Sequence, residues 1–446
     1  MWRFVITCVT AWSFWLLLFW PGIMTPDSLN QWSQMLSGQF DDWHPPFHTM
    51  MNWMITNIWL SPASVAITQI LALSMAVGYG LQLLRRNGMP EWAAWIICLL
   101  FALSPVNGVM VVTILKDVFH SIAVFFMSIL MYQVVVSRGD WLVQPRSWVL
   151  LGITTALVAL FRHNGPAMAF GALVLLLLAY SNYKRQLLLA FSLSVALWLV
   201  IIGPVYMLAD VSRLRPGLQF MVHHVAAHLN AGTPMNSEEI AFLNNLRPIG
   251  DRWQYNCVSL MPTFDYHFQR GVRFNWDFLV ANPIRFVKLF VALTARNPKV
   301  ALEHLECQSA FVWNVKAPPP EQGTINVQDT GKITTIMNNK FGLALDSKLS
   351  GAVLQIVGKL VQVAQPFERL MRSPALYLYF AIGAALLIAI RLKEWRYLLI
   401  VAPLVINSIS TGITSPIPAF RMLWSNCLVA SYCVGFLLYT PQREVS

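Results

Sequence analysis

The residues that could do chemistry gather first in one short stretch. Residues 25–49, "TPDSLNQWSQMLSGQFDDWHPPFHT", hold Asp27, Asp41, Asp42, His44 and His48. No Lys or Arg occurs between Arg3 and Arg85, so along the chain these carboxylates have no cation beside them. Farther on, Lys116 and Asp117 stand together in "TILKDVFH", Arg162 and His163 in "FRHNGP", and Arg421 in "SPIPAFRMLW". An ionised carboxylate can take the proton of an attacking hydroxyl. Fixed cations can hold an anionic headgroup and the charge that builds on a leaving phosphate. Taken singly, each residue has a plainer reading. Asp27 could cap the helix that "SLNQWSQML" begins. Lys116 and Asp117 could be ordinary charge placement at a helix end, and Arg162 and Arg421 could snorkel to a membrane interface. Acids from one loop at the depth of cations from three other turns make a joint site for an anion beside a base.

Other chemistries have less support. "HHVAAH" sets His224 and His228 four apart on one helix face, a spacing that suits a metal. It lacks the HExxH glutamate and has no thiolate pair nearby, so a polar helix face is the simpler reading. The chain has no Gly-rich phosphate loop, no GxSxG and nothing like a nucleotide-binding domain. An activated donor would therefore be lipid-borne.

The elements that must position these groups are membrane helices. Of 446 residues, 57% are hydrophobic and 11% charged, with mean hydropathy +0.55; soluble domains carry about 25% charged residues. Ten apolar runs are expected as spans: 4–20, 65–84, 92–103, 118–136, 148–161, 166–180, 187–208, 376–390, 397–411 and 423–439. The first is expected to be retained, because the bulky "WPGIMTPDS" after it is no signal-peptide cleavage site. With the N-terminus inside, the short inner segments carry eleven Lys and Arg against three outside, Lys116, Arg162 and Arg421. Both termini are thus expected in the cytoplasm, and every candidate residue above on the outer face. The +11 net charge then reflects topology and a basic outer block, not a nucleic-acid footprint.

Three blocks follow. Residues 1–209 carry seven spans and the acidic first outer loop, 210–373 form a mainly helical outer insertion, and 374–446 close with three spans. In the insertion, "SEEIAFLNNL" is expected as a helix capped by its Ser. "NPIRFVKLFVALTARNP" is expected as an amphipathic helix suited to a membrane surface or a domain, and residues 316–332 as a Pro/Gly-rich loop. Cys8, Cys98, Cys427 and Cys433 fall in spans as small apolar groups. Cys257 and Cys307 share the outer block, where a disulfide is permitted and expected.

The pattern resembles the GT-C superfamily of integral-membrane glycosyltransferases, and within it the bacterial inner-membrane enzymes that add a hexose to lipopolysaccharide or O-antigen. The resemblance covers roughly the first 185 residues: a span, an outer "PDS" loop, a "HPP" turn and short amphipathic segment, and a span ending in "RR". An outer "KD" then opens the fourth span and "RHNGP" follows the fifth, with "PAFR" late in the chain. It implies a polytopic all-α fold with an outer, periplasmic active site. It also implies inverting transfer from an undecaprenyl-phosphate-linked hexose to a glycan or lipid-linked acceptor. It points to Asp27 as base, with Asp117 part of the site and Lys116, Arg162 and Arg421 on the lipid phosphate. "FDDWH" supplies two more acids, so Asp41 or Asp42 could be the base instead; His44, His48 and His163 are expected beside the substrates. Some members hold a divalent metal such as Mg or Mn between such acids and many do not, so no metal ligand is assigned. A transporter or flippase would set its charges near the midplane in repeated halves, and neither feature is seen. A polymerase or ligase for lipid-linked glycans would rely on arginines of the outer block, where Arg213, Arg215, Arg270 and Arg273 are available.

Overall fold

The computed structural model describes residues 1–249, 253–264, 274–317, 326–327, 333–364, 368–415 and 417–438. The expected 316–332 loop lies mostly outside the described residues, as do Arg270 and Arg273. Within them the chain is an all-α membrane protein. The first block contains α1 (Trp2–Leu18), α2 (Pro26–Ser37), α3 (Pro46–Thr56), α4 (Pro62–Arg86), α5 (Glu91–Leu103), α6 (Pro105–Val111), α7 (Lys116–Val136), α8 (Pro145–Phe161), α9 (Gly165–Ala179), α10 (Lys184–Val200) and α11 (Tyr206–Leu208). The outer block contains α12 (Leu218–Asn230), α13 (Ser237–Leu246), α14 (Met261–Phe264), α15 (Trp276–Ala281), α16 (Pro283–Arg296), α17 (Pro298–Trp313), α18 (Gly351–Ala364) and α19 (Glu368–Met371). The chain closes with α20 (Pro374–Leu392), α21 (Ala402–Thr414), α22 (Trp424–Cys433) and α23 (Gly435–Leu438). Many of these helices open on proline, whose fixed φ and missing N–H suit the first turn.

All ten apolar runs are helical, but they are not equal. Six stretches are long and apolar enough to cross a bilayer: Pro62–Arg86, Lys116–Val136, Ser181–Leu208, Pro374–Leu392, Trp395–Thr414 and Phe420–Leu438. A seventh is the pair α5 and α6, bent by 58° at Ser104–Pro105. Proline there removes a helical N–H and clashes with the preceding turn. The run 92–103, short by itself, thus gains its missing length beyond a kink. Helices α1, α8 and α9 are apolar but only 17, 17 and 15 residues long, about 22–26 Å at 1.5 Å per residue.

The spans share one core. α7 is central, packed against α4, α8 and α22, with α1 outside α4 and α10 outside α8. Most of its residues are buried, including Phe125, Ile129 and Tyr132. A second, smaller core lies in the outer block, where Val222, Phe242, Leu279, Phe286 and Leu293 pack together. The outer block is not uniform: Ile336, Leu343, Leu345 and Val357 join the membrane core instead. Between the two, α17 touches α12 and α16 on one side and α20 and α21 on the other. Cys257 and Cys307 form a disulfide, their Cα atoms 5.9 Å apart, which ties the chain before α14 to α17.

Candidate functional site

A short backbone pairing sets the site. Ile23 donates its N–H to Val112 O at 3.0 Å, Ile114 donates to Ile23 O at 2.9 Å, and the two segments run parallel. The Ser28 hydroxyl adds a hydrogen bond to Ile114 O. The first turns of α2 and α7 therefore lie side by side, with Asp27 on one and Lys116 and Asp117 on the other.

Asp27 is not the cap of α2. Thr25 takes that role, its hydroxyl accepting from Ser28 N–H while Ser28 Oγ accepts from Thr25 N–H. The helix begins at Pro26, two residues earlier than a capping aspartate would require, and the Asp27 carboxylate is left for longer-range partners. It finds them at once. Lys116 Nζ lies 3.4 Å and Arg421 Nη2 3.1 Å from its Oδ2, and His44 Nε2 lies 4.0 Å from its Oδ1. The expectation that the first-loop acids lack cationic neighbours holds along the chain and fails in space. Burial alone would raise the Asp27 carboxyl, but Lys116, Arg421 and His44 outweigh it and hold it well below the usual carboxylate range.

A second acid stands behind the first. Asp117, 1% exposed, has Arg162 Nη1 at 3.4 Å and Arg421 Nε at 3.8 Å. Arg421 thus reaches both carboxylates. Arg162 ends α8 and also donates to Met422 O at 2.9 Å, which anchors the turn that carries Arg421. The rest of "RHNGP" explains how Arg162 is aimed. Asn164 donates to Ser410 and Thr411 of α21, both at 3.2 Å, and a Cβ at Gly165 would collide with the Val158 carbonyl. Among the described residues, three cations here face two carboxylates.

His44 completes this cluster. Lys116 Nζ can only donate, so His44 Nδ1, 3.2 Å away, accepts, and the ring proton sits on Nε2 toward Asp27. Burial and then Lys116 push His44 down to about 3, so it is neutral near pH 7.

The remaining candidates lie elsewhere. Asp41 Oδ1 accepts from Trp43 N–H at 3.0 Å in a local turn. Asp42 accepts from the N–H groups of Leu214 and Arg215, and its own N–H donates to Ser212 O at 3.0 Å. Asp42 therefore docks the first loop onto the start of the outer block while the Asp41 carboxylate turns the loop itself, and among the described residues neither pairs with the cation cluster. His48 is fully buried beside Phe119 and Phe161, with Asn52 Nδ2 about 3.3 Å from its ring. His163 hydrogen-bonds the backbone of Trp43 and Asp42, bracing the same loop from below. Two side chains the sequence did not single out also position the site. Tyr206 accepts from Phe47 N–H at 2.9 Å and so fixes the start of α3. His120, buried one turn beyond Asp117, fills the core behind it. Only the i, i+3 spacing in "KDVFH" hinted at the second.

The outer block gathers histidines without such counter-charges. His224 Nε2 lies 3.3 Å from His228 Nε2, and His223 and His304 pack beside them. Among the described residues no group of three or more His, Cys, Asp or Glu is arranged to hold a metal ion. The chain matches no protein-family model, no curated protein and no solved structure. Function must be argued from this geometry.

Proposed function

We propose that the chain is an inverting hexosyltransferase that moves a sugar from a polyprenyl-phosphate-linked donor to a lipid-linked glycan. It would act at the periplasmic face of a bacterial inner membrane, crossing it about ten times with both termini in the cytoplasm. One observation carries the reading: Lys116, Arg162 and Arg421, from three separate turns, converge on Asp27 and Asp117 at the ends of the spans. Cations outnumber carboxylates by one among the described residues of this cluster, an arrangement suited to one phosphate monoanion held by paired arginine donors and a lysine point charge.

The same geometry suggests how the base is made ready. Clamped between Lys116 and Arg421, Asp27 is a poor proton acceptor. A donor phosphate competes for those two cations. As they turn to it, the Asp27 carboxylate is released and its basicity rises toward that of an ordinary carboxylate. The acceptor hydroxyl then loses its proton to Asp27 as its oxygen attacks the anomeric carbon. The bond to the phosphate breaks, and the cations hold the departing anion. His44, holding Lys116 through Nδ1, keeps that lysine aimed into the site.

The test is transfer of radiolabelled hexose from a polyprenyl-phosphate donor by purified protein in lipid. Label moved to a glycan acceptor supports the reading. Label carried across the bilayer with the donor intact would make the chain a transporter and overturn it.

A further inference from the structure

Away from the acid–cation cluster, the outer block has a groove between the starts of α12 and α16. Its volume is about 590 Å³, and Leu218, Met221, Ile284 and Val287 form its walls. That volume lies in the range of small-molecule sites, about 300–1,000 Å³. Arg215 and Lys288 also line it, and among the described residues no acidic one does. Neither cation forms an ion pair with a carboxylate among the described residues. A cation pair over an apolar floor is complementary to an anion that carries a hydrocarbon chain.

The groove also lies near the bilayer. The long span Ser181–Leu208 ends seven residues before Arg215, with Met207 76% and Leu208 85% exposed. Seven residues reach at most about 25 Å even when fully extended. The face of α16 that borders the groove is apolar and uncovered: Ile284 is 71% and Val291 56% exposed, while Phe286, Leu289 and Leu293 point into the small core. An amphipathic helix with spare apolar surface and cations beside it is suited to the lipid headgroup layer. Arg215 itself is held at φ 53°, a left-handed conformation that a non-glycine residue keeps only where its surroundings impose it. Asp42 holds it there by accepting the N–H groups of Leu214 and Arg215.

We propose that this groove seats an anionic phospholipid of the surrounding leaflet, its phosphate between Arg215 and Lys288 and the start of its acyl chains against Leu218, Met221, Ile284 and Val287. Asp42 then holds the backbone that carries Arg215 at the edge of that lipid site. This assignment does not depend on glycosyl transfer.

The test uses the full chain in phosphatidylcholine nanodiscs. A phosphatidylglycerol probe carries a diazirine near the glycerol end of its acyl chain, and labelled peptides are mapped by mass spectrometry. The expected label falls on residues 218–221 and 284–287. It drops about tenfold, the scale of one lost charge-assisted contact, when Arg215→Asn and Lys288→Gln are combined; Asn is chosen because it tolerates the left-handed backbone. Arg213→Gln, a neighbouring exposed cation, leaves the label unchanged. Equal labelling by the matching phosphatidylcholine probe, or wild-type labelling of the double variant, overturns the proposal. Displacement of the probe by equimolar polyprenyl phosphate also overturns it, by giving the groove to the isoprenoid lipid.

Discussion

Titratable side chains crowd two places in this molecule, and they are kept quiet in opposite ways. At the span ends, Asp27 and Asp117 are met by opposite charge, with Lys116, Arg162 and Arg421 around them. In the outer block, His223, His224, His228 and His304 have no carboxylate among them and stay neutral. Their hydrogen bonds enforce it. The Thr294 hydroxyl donates to Phe290 O, so it accepts from His224 Nε2–H. The same N–H faces His228 Nε2, which leaves the His228 proton on Nδ1, donated to Thr233. Each of these two rings carries one proton, and a second on His228 would set N–H against N–H. Charge balanced by charge can be rearranged by an incoming anion. Neutrality enforced by packing can only be broken. The first arrangement suits a reaction and the second holds a fold.

That contrast is tested most sharply by Asp27→Asn. The amide keeps the size and loses the base, so transfer should fall about 10²–10⁴-fold, while the variant stays folded with a lowered melting temperature because Lys116 and Arg421 lose their counter-charge. If Asp27→Asn retains near-normal turnover while Asp41→Asn or Asp42→Asn is inactive, the division between reacting and docking acids is wrong. In the outer block the sign should reverse: removing the disulfide by Cys257→Ser and Cys307→Ser should cost about 2–4 kcal/mol of stability, with activity lost only as the fold is lost. Chemical unfolding with and without reductant measures it.

Acid should act on the outer block before it acts on the cations. Burial, and for His224 the neighbouring His228 and His223, lower that ring to about 4. Burial, His223 and His224 lower His304 to about 3. A ring with a native pKa below its unfolded value binds fewer protons when folded. Its contribution is therefore present above about pH 6.5 and is lost as pH falls toward 4. At pH 5 each of these two rings should withdraw up to about 2 kcal/mol. Hydrogen exchange of α12 and α17 should rise at that pH while α7 stays protected. Unchanged protection of α12 would mean the histidine cluster accepts a second proton without opening.

Much of this was legible in the sequence, and what was not had a physical reason. The apolar runs gave the helices, and the three cations misplaced for topology pointed to one end of the spans. Ser104–Pro105 gave no sign that a short run continues past a bend. The capping box at Thr25 was hidden because serine stands where glutamate or glutamine is usual; at α13 the cap is likewise Asn236, one residue before the expected serine. The pairing of Asp27 with Lys116 and Arg421 spans 89 and 394 residues, beyond any local pattern. Asp41 and Asp42 look as catalytic as Asp27 until Ser212, Leu214 and Arg215 are seen to occupy that loop.

The smallest expected effect concerns His44, and it separates holding a proton from holding a lysine. If its neutral ring served as the base, His44→Ala should be as damaging as Asp27→Asn. If it only steadies Lys116, the loss is one hydrogen bond to a charged group at the edge of the site, about 1 kcal/mol. The KM for donor should then rise roughly fivefold with kcat nearly unchanged, and His44→Asn, whose carbonyl oxygen can accept from Lys116, should restore much of it. The pH profile gives a second reading of the same contact. Donor binding draws Lys116 and Arg421 away from Asp27, so the acid limb of kcat should lie at higher pH than that of kcat/KM for donor. In His44→Ala the lysine is less firmly held to Asp27, and the gap between the two limbs should narrow. Coincident limbs in the unmodified protein would mean that the phosphate does not compete with Asp27 for its cations, and the priming step would have to be abandoned.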